Sequence, residues 1–148
     1  MPEGKDKRRG RKVKKFDNYS KNLRVLSTAG SRDLSDEFIV SGIIDKFYIQ
    51  FELSWKLFKQ LLKYEGRAVA NTGSPRQIIK EMYAVCEFID EDIWLGMLND
   101  RNETAHIYDG NAARILALKI IESYVPEFIR VEQRIRERYI NTGVLDDE

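Results

Sequence analysis

Between Ser35 and Tyr64 the chain runs thirty residues without a proline, and its large apolar side chains recur at intervals of three and four. Phe38, Ile39, Ile43, Phe47, Phe51, Trp55, Phe58 and Leu62 fall on one stripe of an α-helix. At about 1.5 Å per residue such a helix is a rod near 45 Å long, and it needs partners along its whole length. Gly66 is placed to stop it.

The same periodicity extends across the rest of the chain. A first helix is predicted from about Phe16 to Ala29, with Phe16, Tyr19, Leu23 and Leu26 inward and Gly30 at its end. Residues 66–73 read as a linker. Ser74-Pro75-Arg76-Gln77 then carries a capping serine, a proline at the first helical position and a glutamine that completes a capping box. A third helix should cover about Pro75 to Cys86, with Ile78, Ile79, Met82 and Val85 inward. Asp90-Glu91-Asp92 favours a fourth start, since the helix dipole attracts negative charge there. That helix is expected to reach about His106. After a turn at Asp109-Gly110, a fifth runs from about Asn111 to Tyr139, kinked near Tyr124 by Pro126. The fold class is all-α, an antiparallel four- to five-helix up-and-down bundle.

Charge divides the chain unevenly. Residues 1–15 hold eight Lys or Arg against Glu3 and Asp6, although the whole chain carries only +1. The first fourteen residues lack apolar spacing and are expected to be a disordered basic arm. It would be a solvated tail or a phosphate-attracting arm on an otherwise acidic body. Residues 15–140 form the bundle, and 141–148 an acidic, frayed tail. The lone Cys86 sits among apolar residues and reads as a reduced structural thiol. There is neither a secretory signal pattern nor an apolar run of the roughly 20 residues that a bilayer requires, so a cytoplasmic location is expected.

Chemistry concentrates in one octapeptide, Arg101-Asn102-Glu103-Thr104-Ala105-His106-Ile107-Tyr108, which contains the only histidine. An imidazole moves protons near neutral pH, and a guanidinium holds phosphate. Continued as helix, the segment places Trp94, Leu98, Arg101, Ala105 and Tyr108 on one stripe. Arg101 then sits on an apolar face and needs a partner or a wet cleft. His106 lies about 140° away from it, in line instead with Asn102. From spacing alone, a capping histidine and an arginine in a structural ion pair or an oligomer contact are favoured over a catalytic site. One His and one Cys make no zinc site, and no Gly-rich phosphate loop is present; neither metal nor cofactor is expected.

The pattern Arg-x4-His-x-Tyr resembles the signature of HEPN-domain ribonucleases. Phe51-Glu52-Leu53-Ser54-Trp55-Lys56, Ser74-Pro75 and Ile93-Trp94-Leu95-Gly96-Met97-Leu98-Asn99-Asp100-Arg101-Asn102 are similar to blocks of the nucleotidyltransferase substrate-binding branch. The resemblance spans about residues 15–139. It implies a homodimer whose arginines and histidines line a shared cleft, and RNA cleavage without metal. His106 would act as general acid/base on a ribose 2′-hydroxyl, Arg101 would steady the phosphate, and Asn102 would orient His106. It further implies a toxin–antitoxin pair, in which a minimal nucleotidyltransferase silences the ribonuclease by transferring AMP to Tyr108. Two alternatives stay open: a non-catalytic adaptor subunit of a nucleotidyltransferase complex, and a helical interaction module without chemistry. Glu103 inside the motif and the acidic body both argue against strong RNA binding.

Overall fold

The long rod forms. The structure, a computed structural model, describes residues 14–104 and 107–146. Its helices are α1 (Lys15–Leu26), α2 (Glu37–Tyr64), α3 (Val69–Thr72), α4 (Pro75–Val85), α5 (Glu91–Asn102), α6 (Gly110–Lys119) and α7 (Val125–Tyr139). A π-turn, Ile120–Tyr124, joins α6 to α7. Among the described residues there is no strand.

Contacts fix the directions. Asn22 of α1 donates to Lys46 O (3.0 Å) and Gln50 Oε1 (2.9 Å), whereas Lys15, at the start of α1, lines the same groove as Lys59 and Lys63 toward the end of α2. The two helices are therefore antiparallel. Trp94 packs edge-on against Phe58, and Arg101 reaches Glu52, so α5 is also antiparallel to α2. The α6–α7 rod runs parallel to α2, with Tyr124 stacked on Phe47 and Tyr139 edge-on to Tyr64. These four rods form the bundle, and α4 packs against α2 and α5.

The core is aromatic: Tyr19, Phe47, Phe51, Phe58, Trp94 and Phe128 are fully buried. Burying polar tips costs free energy unless they are hydrogen-bonded. Tyr19 Oη donates to Phe128 O (2.6 Å). Trp94 Nε1 donates to Glu127 Oε2 (2.9 Å), a buried carboxylate that Arg130 Nη2 also engages at 2.8 Å. Cys86 is a buried free thiol whose Sγ lies 3.4 Å from Tyr139 Oη. Burial pushes that thiol above its ordinary range.

Local start and stop signals act as expected at several sites. Ser74 and Gln77 form the reciprocal capping box. Gly66 adopts φ +76°, a left-handed conformation that glycine takes without a Cβ clash. Asp109 caps α6 by accepting from the backbone of Asn111 and Ala112. The disturbance expected near Tyr124 is the π-turn, which ends next to the missing donor of Pro126.

Other expectations need correction. The first helix stops at Leu26, because the Ser27 and Thr28 hydroxyls bond back to Arg24 O (2.9 Å) and Val25 O (2.8 Å). The linker over 66–73 contains the short helix α3. Phe38 is 89% exposed; it shares an outward stripe with Gly42 and Ile49, so helical spacing alone assigned it to the wrong face. The tail does not fray through Asp146. Val144 and Leu145 are buried, and Gln60 Nε2 donates to Val144 O (2.7 Å). Of the basic arm expected over residues 1–14, residues 1–13 lie outside the described residues. Lys14 is described, and its Nζ lies 3.4 Å from Asp146 Oδ1.

The buried tail generates a stability prediction. Deleting residues 141–148 removes the burial of Val144 and Leu145, and at roughly 1.5–3 kcal/mol per buried aliphatic side chain it should destabilise the bundle by about 3 kcal/mol. Urea unfolding of the full and shortened chains measures this. Unchanged stability would contradict the packed tail.

Candidate active site at the end of helix α5

Helix α5 begins where Asp90 accepts the Ile93 amide (3.2 Å), and it buries Trp94, Met97 and Leu98 against the core. One turn beyond Leu98, the same stripe brings Arg101 to the bundle surface beside α2. The guanidinium is neither sealed in nor fully solvated: its side chain is 34% exposed. Arg101 Nη2 donates to Glu52 Oε1 in a short charge-assisted contact. Arg101 Nη1 lies 3.4 Å from Asn102 Oδ1.

Glu52 is the hub of this arrangement. Its other oxygen, Oε2, accepts from Trp55 Nε1 at 3.1 Å and lies 3.9 Å from Lys56 Nζ. Three donors from two helices thus converge on one carboxylate. An arginine carries five N–H donors, so pairing with Glu52 does not exhaust Arg101. The guanidinium arrives prepositioned, with directions left for an anion. In the sequence Glu52 stands out only as part of the block over residues 51–56, with no role of its own. No periodicity signal shows that it meets a residue 49 positions later.

The neighbouring residue fixes the same turn. Asp100 accepts from Tyr124 Oη in a short hydrogen bond, and Lys119 Nζ lies 3.0 Å from Asp100 Oδ2. Tyr124 belongs to the π-turn, a distortion that often re-aims side chains at functional sites. Burial first, then the Asp100 hydrogen bond and charge, hold its phenol protonated far above the ordinary range. It therefore stays a donor to Asp100. Tyr48 also senses this cluster: partial burial and then Asp45 raise its phenol, while the charge of Arg101 opposes them.

The fourth predicted helix does not reach His106. It ends at Asn102, where Glu103 turns extended (φ −78°, ψ 131°). The Glu103 side chain then accepts the Thr104 amide at 3.0 Å, a local bond that competes with another helical turn. Ala105 and His106 lie outside the described residues, and so does any contact between Asn102 and His106. The chain is described again at Ile107, whose amide donates to Thr104 O (3.0 Å). Tyr108 consequently is not on the Trp94–Leu98–Arg101 stripe; it is 91% exposed. It borders a shallow depression of about 290 Å³ that includes Leu34, Val40 and Arg114. Among the described residues no group of three or more His, Cys, Asp or Glu is placed to hold a metal ion. None of the described helices is long and apolar enough to cross a membrane.

Comparison with known proteins bears on this geometry. Residues 14–137 match the family model described as "nucleotidyltransferase substrate binding protein like". A probable ribonuclease HepT of Haemophilus influenzae is 27% identical over 104 residues, which cover 68% of this chain and 71% of that protein. The family match includes the bundle, the Glu52–Arg101 pair and the whole Arg-x4-His-x-Tyr segment. The chain belongs to the nucleotidyltransferase substrate-binding protein family, the HEPN branch that its sequence blocks resemble.

Proposed function

We propose that this protein is a HEPN-type, metal-independent endoribonuclease of a toxin–antitoxin pair. The observation that carries the reading is the placement of Arg101. A partly exposed guanidinium is held by a carboxylate on the longest helix, five residues ahead of the only histidine. The likeness to a probable ribonuclease adds support.

In the proposed reaction His106 takes the proton of a ribose 2′-hydroxyl, and the 2′-oxygen attacks the adjacent phosphorus. The bond to the 5′-oxygen breaks, and that oxygen accepts a proton from imidazolium. The products are a 2′,3′-cyclic phosphate and a 5′-hydroxyl. A histidine near its reference pKa of about 6.5 serves both steps, worth roughly 10²–10⁴ in rate. Arg101 stabilises the charge that gathers on the phosphoryl oxygens. Asn102, next to Arg101 and four residues ahead of His106 in the chain, orients the imidazole. A homodimer would bring two copies of Arg101 and His106 to one cleft. The bundle of residues 15–140 houses this chemistry. The basic arm of residues 1–14 gathers phosphates in the cytoplasm, and 141–148 form the acidic tail.

Regulation falls to Tyr108. A cognate minimal nucleotidyltransferase would transfer the AMP moiety of ATP to its phenol oxygen, with pyrophosphate leaving. The exposure of this side chain suits such a modification. The added bulk and negative charge would obstruct an RNA beside Arg101. One observation favours the alternative of a non-catalytic adaptor subunit: Glu52 already occupies one edge of Arg101 with negative charge.

Expression of wild type, Arg101→Ala and His106→Ala without the partner separates these readings. Wild type should fragment cellular RNA and arrest growth, and each variant should lose at least about a hundredfold in cleavage rate. Intact RNA with wild type would leave the adaptor standing. For the tyrosine, incubation with the nucleotidyltransferase and ATP should raise the intact mass by AMP units, and Tyr108→Phe should abolish the gain. A wild-type mass that does not change would remove the regulatory role.

A further inference from the structure

A second feature adjoins the Arg101 cluster. A groove of about 670 Å³ runs between the root of α1 and the outer face of α2. Four lysines line it, Lys15, Lys56, Lys59 and Lys63, together with the aromatic rings of Trp55 and Tyr64. No carboxylate is among its described lining residues. Lys56, Lys59 and Lys63 follow at steps of three and four, so they form one stripe on α2. Among the described residues no carboxylate lies within ion-pair distance of Lys59 or Lys63. Tyr64 is half exposed and is held edge-on by Tyr139.

The groove is continuous with the site already described. Trp55 and Lys56 line it, and both also contact Glu52, which holds Arg101. From Glu52 to Lys63 the helix rises roughly 16 Å, room for several nucleotides of extended strand. The basic arm joins the bundle at Lys14, one residue before a groove-lining lysine. Asp146, on the same turn as the lining Val144, is taken up by Lys14. A charged row bordered by rings is the chemistry that holds single strands: the lysines neutralise phosphates, and the rings stack bases whatever their identity. An acidic peptide would use the lysines but would leave the rings without flat partners.

We propose that the Lys56–Lys59–Lys63 groove docks a single-stranded RNA segment and leads it to Arg101. This rests on the ribonuclease reading, and it adds where the strand lies outside the motif. It also resolves the acidic-body difficulty, since the track is locally cationic although the body is not.

The test is fluorescence anisotropy with a labelled, fully 2′-O-methylated oligoribonucleotide, which can bind but lacks the attacking hydroxyl. The full-length chain is compared with Lys59→Glu/Lys63→Glu, the milder Lys59→Gln/Lys63→Gln, and Tyr64→Ala. Lys59, Lys63 and Tyr64 are all exposed, and thermal unfolding checks the fold of each variant. Charge reversal should weaken binding about tenfold or more. The slope of log affinity against log salt should fall by about 0.7 for each lysine that no longer pairs with a phosphate. Tyr64→Ala should weaken single-strand binding without changing that slope. Wild-type binding that the lysine variants leave unchanged would overturn the groove, as would absence of wild-type binding. An effect of the lysine variants confined to an acidic protein partner would overturn it as well. If the lysines govern probe binding while natural RNA stays whole with wild type, the groove stands and the ribonuclease reading falls.

Discussion

One carboxylate ties the functional end of this bundle together. Glu52 receives Arg101 from α5 and Trp55 and Lys56 from its own helix. A partly buried guanidinium without a partner would carry a desolvation cost and a choice of rotamers. With Glu52 in place it has one position, anchored to the longest helix of the fold. Everything proposed for the site, from phosphate stabilisation to RNA delivery along α2, starts from that fixed arginine.

The pair in turn depends on the packing that brings α5 against α2. Trp94 sits in a cage of Phe51, Phe58 and Phe128, and its indole is anchored on the buried Glu127. Two turns later the same stripe delivers Arg101. Asp100, held by Tyr124 and Lys119, fixes the rotation of the last turn. The π-turn therefore does more than accommodate Pro126, because it places the tyrosine that grips this turn. Core packing and site geometry are two ends of one helix.

Much of this arrangement was legible in the sequence, and the limits have physical causes. A 3.6-residue period reveals which residues share a face, so the bounds of α2, of α4 and of the α6–α7 rod as a whole are legible to within a few residues. Local caps such as Ser74 with Gln77, and a left-handed Gly66, are chemically self-contained and equally readable. Periodicity does not say which of two apolar stripes faces the core, hence the misplaced Phe38. Nor does it register side chains that bond back to their own backbone, which end α1 at Leu26 and α5 at Asn102. The motif and its arginine stood out because the residue types are rare together. Glu52 and the lysine groove did not, because they arise from the packing of helices distant in sequence. Arg101 was expected to need a partner, but only the fold names it.

A double-mutant cycle on Glu52 and Arg101 tests this account most directly. Stability is measured by urea unfolding for wild type, Glu52→Gln, Arg101→Gln and the double variant. A coupling energy of about 1 kcal/mol is expected, in the range found for groups in direct contact. Effects that add to within about 0.3 kcal/mol would mean that the two side chains do not hold one another, and the prepositioned arginine would fall with them.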